Sequence, residues 1–132
     1  MSLKGSCHCG YLQFSVDQHA LTDVANCHCS ICRRSTGGTF VTWATVPKES
    51  LKWLAGTPGV YPATENSRRF YCPRCGAQLA LYTDLAPQTI DITVSTLDRV
   101  DDFPPRREIW VKNKIKWVNL CNALVHEDQE TL

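Results

Sequence analysis

Long apolar runs are missing from this sequence, and neither sign of charge dominates it. No run approaches the roughly 20 apolar residues that a membrane-spanning helix needs, and the opening MSLKGSCHCG lacks the apolar segment of a secretion signal. The 14 Lys and Arg residues against 13 Asp and Glu residues give a net charge of +1, which disfavours nucleic-acid and membrane-surface binding. We therefore expect a cytoplasmic protein that binds neither nucleic acid nor membranes.

Helical periodicity is also scarce. No segment sustains a 3.6-residue pattern, whereas YLQFSV and TIDITVSTL alternate apolar and polar residues between turns marked by Pro and Gly. In TIDITVSTL the alternation places Ile90, Ile92 and Val94 on one face. This pattern predicts a mainly β fold of short antiparallel sheets, each with one wetter face, in a single domain spanning residues 1–132.

Three local expectations complete the prediction of the fold. SICRRS and LDRVDDF are each predicted to form a short helical turn, and EIWVKNKIKWVNL is predicted to form a final hairpin. The four tryptophans, Trp43, Trp53, Trp110 and Trp117, are predicted to pack in the core or against a sheet.

Cysteine, by contrast, is abundant, with eight residues in a chain of 132. Clustered cysteines in a reducing cytosol are more often metal-binding or catalytic than disulfide-bonded, so a secreted disulfide scaffold is the less favoured alternative. Seven of the eight fall in three groups: Cys7 and Cys9 in CHC, Cys27, Cys29 and Cys32 in CxCxxC, and Cys72 and Cys75 in CxxC. The eighth, Cys121, is predicted to be an inert, partly buried small side chain.

The CPRCG motif at Cys72 and Cys75 is typical of a zinc knuckle, because two thiolates can bind one ion across a tight turn. Structural zinc has four ligands, so a second pair of cysteines must join the first. Cys7 and Cys9 can supply that pair, and a glycine follows each pair where a turn needs a positive φ. The prediction is a closed structural zinc site of four cysteines.

Cys27, Cys29 and Cys32 then remain without a matching pair. Three protein ligands with one open position describe a catalytic zinc, whose fourth position takes water or substrate. The alternative partition joins CHC to CxCxxC, and it leaves the knuckle short of ligands. His8 and His28 are further candidate ligands, but an extended segment would turn each of them away from its flanking cysteines. Two zinc ions per chain are therefore expected.

Two arginines, Arg33 and Arg34, follow the three-cysteine group directly. They either compensate the negative charge of the thiolates or bind an acidic substrate, since a guanidinium pairs with a carboxylate through two hydrogen bonds. Both interpretations stay open, and the two residues are candidate substrate-binding groups. Arg68, Arg69 and Arg74 flank the knuckle in the sequence in the same way.

Taken in order, these motifs resemble the glutathione-dependent formaldehyde-activating enzyme family, also called the CENP-V/GFA domain. The resemblance rests on GSCHCG, CHCSICRR, STGGTF, the RRFYCPRCG segment, STLD and the C-terminal EIWV and KW, and so covers nearly the whole chain. It implies a β-tent fold of the Mss4-like type, with structural zinc on Cys7, Cys9, Cys72 and Cys75. A second, catalytic zinc is implied on Cys27, Cys29 and Cys32.

The resemblance further implies a carbon–sulfur lyase-type reaction in which glutathione, or a similar small thiol, adds to formaldehyde or a related aldehyde. Zinc coordination would supply the thiolate at neutral pH, and thiolate is the nucleophilic form of a thiol. Two other functions stay open. One is a noncatalytic zinc module for a protein partner, in which His28 or a partner residue caps the three cysteines. The other is a methionine sulfoxide reductase that uses the late Cys121. The oligomeric state is left open.

Overall fold

The structure, a computed structural model, describes residues 2–131. Within that range it contains eleven strands, one α-helix and five short 3₁₀ turns. The strands are β1 (Ser2–Ser6), β2 (Gln13–Asp17), β3 (Asp23–Cys27), β4 (Val41–Pro47), β5 (Lys52–Ala55), β6 (Gly59–Tyr61), β7 (Ser67–Tyr71), β8 (Gln78–Thr83), β9 (Thr89–Thr93), β10 (Arg107–Ile109) and β11 (Val125–His126). The helix is α1 (Ser30–Thr36), and the 3₁₀ turns are Gln18–Ala20, Lys48–Ser50, Val94–Thr96, Val100–Asp102 and Val111–Asn113.

The strands form two sheets. A three-stranded antiparallel sheet has the order β1-β2-β5, and an eight-stranded sheet has the order β11-β10-β3-β4-β9-β8-β7-β6. The larger sheet is mixed, because β10 runs parallel to both β3 and β11. The fold is mainly β, as the alternating pattern predicted, but the parallel pairing of β10 lies outside the antiparallel expectation.

Strand alternation divides the larger sheet into two faces. Val24 of β3, Ala44 of β4 and Ile92 of β9 belong to the main core cluster together with residues of the three-stranded sheet such as Phe14. The predicted face of Ile90, Ile92 and Val94 is confirmed, since all three belong to this cluster. The alternate residues of the same strands face away from this core, and they carry the side chains of the candidate site.

The C-terminal region corrects two predictions. EIWVKNKIKWVNL does not form a hairpin, because β10 ends at Ile109 and Trp110 takes a left-handed conformation with φ 57° before a 3₁₀ turn. Such a φ is uncommon for a residue with a large side chain, and it breaks the strand direction. Trp117 is 71% exposed, so it is not a core residue. The helical turns expected in SICRRS and LDRVDDF are present, as α1 and Val100–Asp102. Across residues 2–131, every helix is too short or too polar to cross a membrane.

Candidate metal centres

The first cysteine group joins two distant turns of the chain. The Sγ atoms of Cys7, Cys9, Cys72 and Cys75 all lie within 4.8 Å of one another. Cys9 Sγ lies 3.7 Å from the Sγ atoms of both Cys7 and Cys72. Tetrahedral zinc with Zn–S bonds of about 2.3 Å holds its sulfurs roughly 3.8 Å apart, so the donor set fits one zinc ion.

The two turns that supply these four sulfurs have the same backbone design. In each, the N–H of the first cysteine donates to a carbonyl five residues later, Cys7 to Leu12 and Cys72 to Ala77. The glycines that follow the pairs, Gly10 and Gly76, have φ values of 81° and 80°, a conformation that favours glycine. The positive φ expected at these two glycines is therefore present. Metal binding here would tie β1 to the turn between β7 and β8.

The second group lies where β3 ends and α1 begins. The Sγ atoms of Cys27, Cys29 and Cys32 lie within 4.8 Å of one another. Cys29 is the N-cap of α1, and its Sγ accepts a hydrogen bond from the backbone N–H of Cys32 at 3.2 Å. Hydrogen bonds from the thiols of Cys27 and Cys32, aided by backbone N–H groups, lower the pKa of Cys29 to about 2. The same hydrogen bonds to Cys29 raise the pKa of Cys27 and, together with burial, that of Cys32, so the negative charge of the metal-free group lies on Cys29. A metal binds sulfur in its thiolate form.

The histidines of the two cysteine groups have different surroundings. His8 is exposed. His28 is buried and its Nε2 lies 2.7 Å from Glu108 Oε1. Among the described residues, neither histidine belongs to a group whose ligand atoms converge on one point.

Arg69 is the charged side chain that the structure places against the three-cysteine group. Its Nη2 donates to Cys32 Sγ at 3.5 Å and its Nη1 donates to Gln78 Oε1 at 3.3 Å, and the residue is only 3% exposed. In the sequence Arg69 stands beside the knuckle, but β7 carries it to the other cysteine group. Strand alternation is the sequence signal that could have identified this contact. Neighbouring residues of a strand point to opposite faces, so Arg69 of β7 lies on the face opposite the exposed Arg68.

Arg33 and Arg34 have other surroundings. Arg33 Nη2 donates to the carbonyl of Asn113 at 3.4 Å, and Arg34 is exposed on α1. Neither lines the cavity at the three cysteines, whereas Arg69 does. Their predicted role in substrate binding stays a prediction.

A cavity of about 370 Å³ opens beside the three-cysteine group. Its floor is the face of the larger sheet that points away from the main core, and its apolar part includes Trp43, Leu81, Ile109 and Trp110. Cys27, Cys29 and Cys32 all line it. The volume is within the range of pockets that hold small molecules.

Three carboxylates line the same cavity, and sequence reasoning did not identify them. They are Asp23, Asp91 and Glu130. Burial, with the charge of Asp23 adding to it, raises the pKa of Asp91 to about 6. Burial, with the charge of Asp91 adding to it, raises the pKa of Glu130 to about 7. No local pattern in the sequence marks this cluster, because its members come from β3, β9 and the C-terminal segment.

Cys121 is exposed and lies outside both cysteine groups. The prediction that it is partly buried is therefore wrong. Its backbone N–H donates to Glu108 Oε2 at 3.1 Å.

Comparison with known proteins gives three findings. A sequence model of the family described as glutathione-dependent formaldehyde-activating enzyme matches residues 2–113. A Halomonas elongata protein named "Putative glutathione-dependent formaldehyde-activating enzyme" is 29% identical over 128 residues, which cover 91% of this chain and 82% of that protein. The crystal structure of a Rhodobacter sphaeroides protein superposes with a TM-score of 0.63 at 26% identity, covering 78% of this chain and 92% of that one. The family match spans most of the chain, and the chain therefore belongs to the glutathione-dependent formaldehyde-activating enzyme family.

Proposed function

We propose that this protein is a zinc-dependent enzyme of the carbon–sulfur lyase type that adds a small thiol such as glutathione to formaldehyde or a related aldehyde. The observation that carries the proposal is the convergence of three cysteine sulfurs at the wall of a cavity large enough for a small molecule. Family membership and the name of the Halomonas elongata relative support the choice of thiol and aldehyde.

Two zinc ions per chain fit the donor sets. Cys7, Cys9, Cys72 and Cys75 would hold a structural ion with a full set of ligands. Cys27, Cys29 and Cys32 would hold the other ion, which supplies a Lewis acid that binds the substrate thiol as a thiolate.

The protein's own groups prepare this reaction. The N-cap position of Cys29 and the guanidinium of Arg69 stabilise negative charge on the sulfurs. The walls formed by Trp43, Leu81 and Ile109 exclude water on one side of the site, and this strengthens every charge interaction there. In the net reaction a sulfur–carbon bond forms, the carbonyl becomes a hydroxyl, and the proton of the thiol ends on that oxygen.

The alternative of a noncatalytic zinc module gains no support from the site. It requires a fourth ligand over the three cysteines, from His28 or from a partner, and among the described residues no ring nitrogen of His28 converges with the three sulfurs. All three cysteines line the cavity, and Cys29 is partly exposed there.

The test is the exchange rate between glutathione, ¹³C-formaldehyde and their adduct, measured by two-dimensional exchange NMR. The zinc-loaded protein is expected to accelerate the exchange above its rate in buffer. The variant Cys29→Ser should lose the acceleration, and Cys121→Ser should keep it, because Cys121 lies outside both cysteine groups. An exchange rate equal to that of buffer with protein carrying two zinc ions would rule out the proposed reaction.

A further inference from the structure

The tripeptide Cys-His-Cys occurs twice in the chain, once in each cysteine group. Residues 7–9 belong to the four-cysteine group, and residues 27–29 belong to the three-cysteine group. His8 is exposed, whereas His28 is 1% exposed and its Nε2 lies 2.7 Å from Glu108 Oε1. The same local sequence therefore has an exposed histidine in one group and a buried, anchored histidine in the other.

His28 does not act from within the cavity. Neither His28 nor Glu108 lines the cavity, although Cys27 and Cys29 on either side of His28 do. In an extended segment a side chain points away from those of its two neighbours, and Cys29 has extended φ and ψ values of −66° and 149°. Among the described residues, no ring nitrogen of His28 converges with the three sulfurs. Any effect of His28 on this group must therefore pass through the backbone that carries the two cysteines.

Strand β10 holds that backbone at two successive residues. Ile109 is paired with Cys27 in the parallel register of β10 and β3, and its carbonyl accepts from the backbone N–H of His28 at 3.0 Å. The preceding residue, Glu108, binds the His28 ring through Oε1 and the backbone N–H of Cys121 through Oε2 at 3.1 Å. An ionised carboxylate only accepts hydrogen bonds, so Nε2 of His28 is the donor. The backbone and the side chain of His28 are thus both fixed to one strand.

The hydrogen bond to Glu108 sets the orientation of the His28 ring. Within residues 2–131 the buried Nδ1 of His28 has no hydrogen-bond partner. The ring also packs against Phe40, with the two centroids 5.2 Å apart. A hydrogen bond to a charged group is stronger and more directional than such a ring contact, so Glu108 is the main restraint on the ring.

The two cysteine groups differ in ligand number, and this gives the anchor a purpose. Four cysteine ligands complete the tetrahedral shell of a zinc ion, so the ion itself fixes their arrangement. Three cysteines leave one position to be filled from outside, and their arrangement then depends more on the protein groups that orient them. The anchored histidine belongs to the group that lacks the fourth cysteine.

We infer that Glu108 is a positioning residue for the three-cysteine group. Its hydrogen bond to His28 fixes the backbone that carries the two neighbouring cysteines, so that all three sulfurs converge on one metal ion. This inference rests on the proposed function in taking the group as a zinc site. It goes further by assigning residues outside the cavity that hold the geometry of the site.

The experiment replaces His28 in two ways. The amide of glutamine reaches about as far as the imidazole Nε2 and can still donate to Glu108, whereas phenylalanine keeps a ring and loses the donor. Zinc affinity of the three-cysteine group is measured by competition with a chromophoric chelator. The sulfur-to-cobalt charge-transfer band of the cobalt-substituted protein reports how many thiolates bind the metal.

His28→Phe should weaken zinc binding at least about tenfold and reduce the cobalt band, because loss of a group that orients metal ligands typically costs about 10–100-fold in affinity. His28→Gln should stay within about threefold of wild type, because the donor to Glu108 is retained.

A double variant separates positioning from stability. His28→Phe combined with Glu108→Met replaces the whole pair by apolar side chains and leaves no unpaired buried carboxylate, so the protein should fold. It should still bind zinc at least about tenfold more weakly than wild type, since the hydrogen bond is absent.

Two control variants should leave zinc affinity unchanged. His8→Phe changes the same tripeptide in the four-cysteine group, where the histidine is exposed. Ile92→Val destabilises the main core at a residue that does not line the cavity.

A double variant with the zinc affinity and the cobalt band of wild type would overturn the positioning role and leave the proposed function standing. Equal losses in His28→Gln and His28→Phe would also overturn it, because the hydrogen bond would then not be the cause. Wild-type protein that binds no second zinc ion would overturn the positioning role and the proposed function together.

Discussion

His28 Nε2 lies 2.7 Å from Glu108 Oε1, and the two side chains are 1% and 3% exposed. The second carboxylate oxygen of Glu108 accepts from the backbone N–H of Cys121 at 3.1 Å. Burial acts to raise the pKa of Glu108, but the hydrogen bonds from His28 and Cys121 hold it below its ordinary value. The pair therefore joins the segment between Cys27 and Cys29 to β10 and to the C-terminal region.

Replacing Glu108 by glutamine should destabilise the protein by about 1–3 kcal/mol, because a neutral amide replaces the buried carboxylate that is hydrogen-bonded to His28 and to the Cys121 N–H. Urea denaturation measures the change. Glu49→Gln, an exposed residue, is the control and should stay within about 0.5 kcal/mol of wild type. A Glu108→Gln variant as stable as the control would show that the pair contributes no net stability.

Cys29→Ser should remove one zinc ion per chain and leave the fold intact. Cys29 belongs to the three-cysteine group, which lies beside the cavity, whereas the four-cysteine group has a full ligand set of its own. Zinc is counted by mass spectrometry of the purified protein, and the fold is checked by circular dichroism. Cys121→Ser should retain both ions, and loss of two ions from Cys29→Ser would show that the two groups are not independent.

Cys72→Ser should abolish cooperative unfolding or lower the melting temperature strongly, because binding free energy at a structural zinc site is folding free energy. Cys72 is fully buried, and its sulfur accepts backbone N–H bonds from Arg74 and Cys75. Thermal unfolding followed by circular dichroism, with and without a strong chelator, measures the effect. A variant with the melting profile of wild type would contradict a structural role for this group.

Sequence reasoning predicted the elements that depend on local pattern. The alternation of Ile90, Ile92 and Val94 gave their shared face, and cysteine spacing gave the two groups that the fold brings together. Both depend on residues close in the chain or on a fixed ligand count for zinc. The assignment of each cysteine to a structural or a catalytic ion stays a prediction.

The features that sequence reasoning missed depend on long-range pairing. Arg69 stands beside the knuckle in the sequence. Its side chain nevertheless contacts Cys32, which lies 37 residues earlier in the chain. The failed hairpin at EIWVKNKIKWVNL has the same cause, since β10 pairs with β3 in parallel rather than with its sequence neighbours. Composition carries no signal for which strand becomes the partner of β10, and tertiary packing decides it.

Arg69→Met should weaken zinc binding at the three-cysteine group about tenfold or more, because a positive group hydrogen-bonded to Cys32 Sγ is removed from a buried site. Competition with a chromophoric chelator measures the affinity. Its neighbour Arg68 is 52% exposed and lies 3.7 Å from Asp84, so Arg68→Met should leave zinc affinity unchanged. Equal affinities in the two variants would remove Arg69 from the site.

Asp91→Asn should make stability less dependent on pH. The folded-state pKa of Asp91 is raised to about 6 from the ordinary 3.8, chiefly by burial, so the folded chain holds this proton more tightly than the unfolded chain. The stability that this tightly held proton contributes is fully present below pH 4 and is lost as the pH rises through 6. Asparagine does not titrate, and its Oδ1 can still accept the hydrogen bond from Thr45.

The stability of Asp91→Asn relative to wild type should therefore increase by about 1 kcal/mol between pH 5 and pH 8. Urea denaturation of both proteins at the two pH values measures the change. Asp84→Asn is the matched control, because Asp84 is 54% exposed. The free energy of unfolding of this variant should change with pH in the same way as that of wild type. Parallel curves for Asp91→Asn and wild type would mean that burial does not raise the pKa of Asp91 in the folded protein.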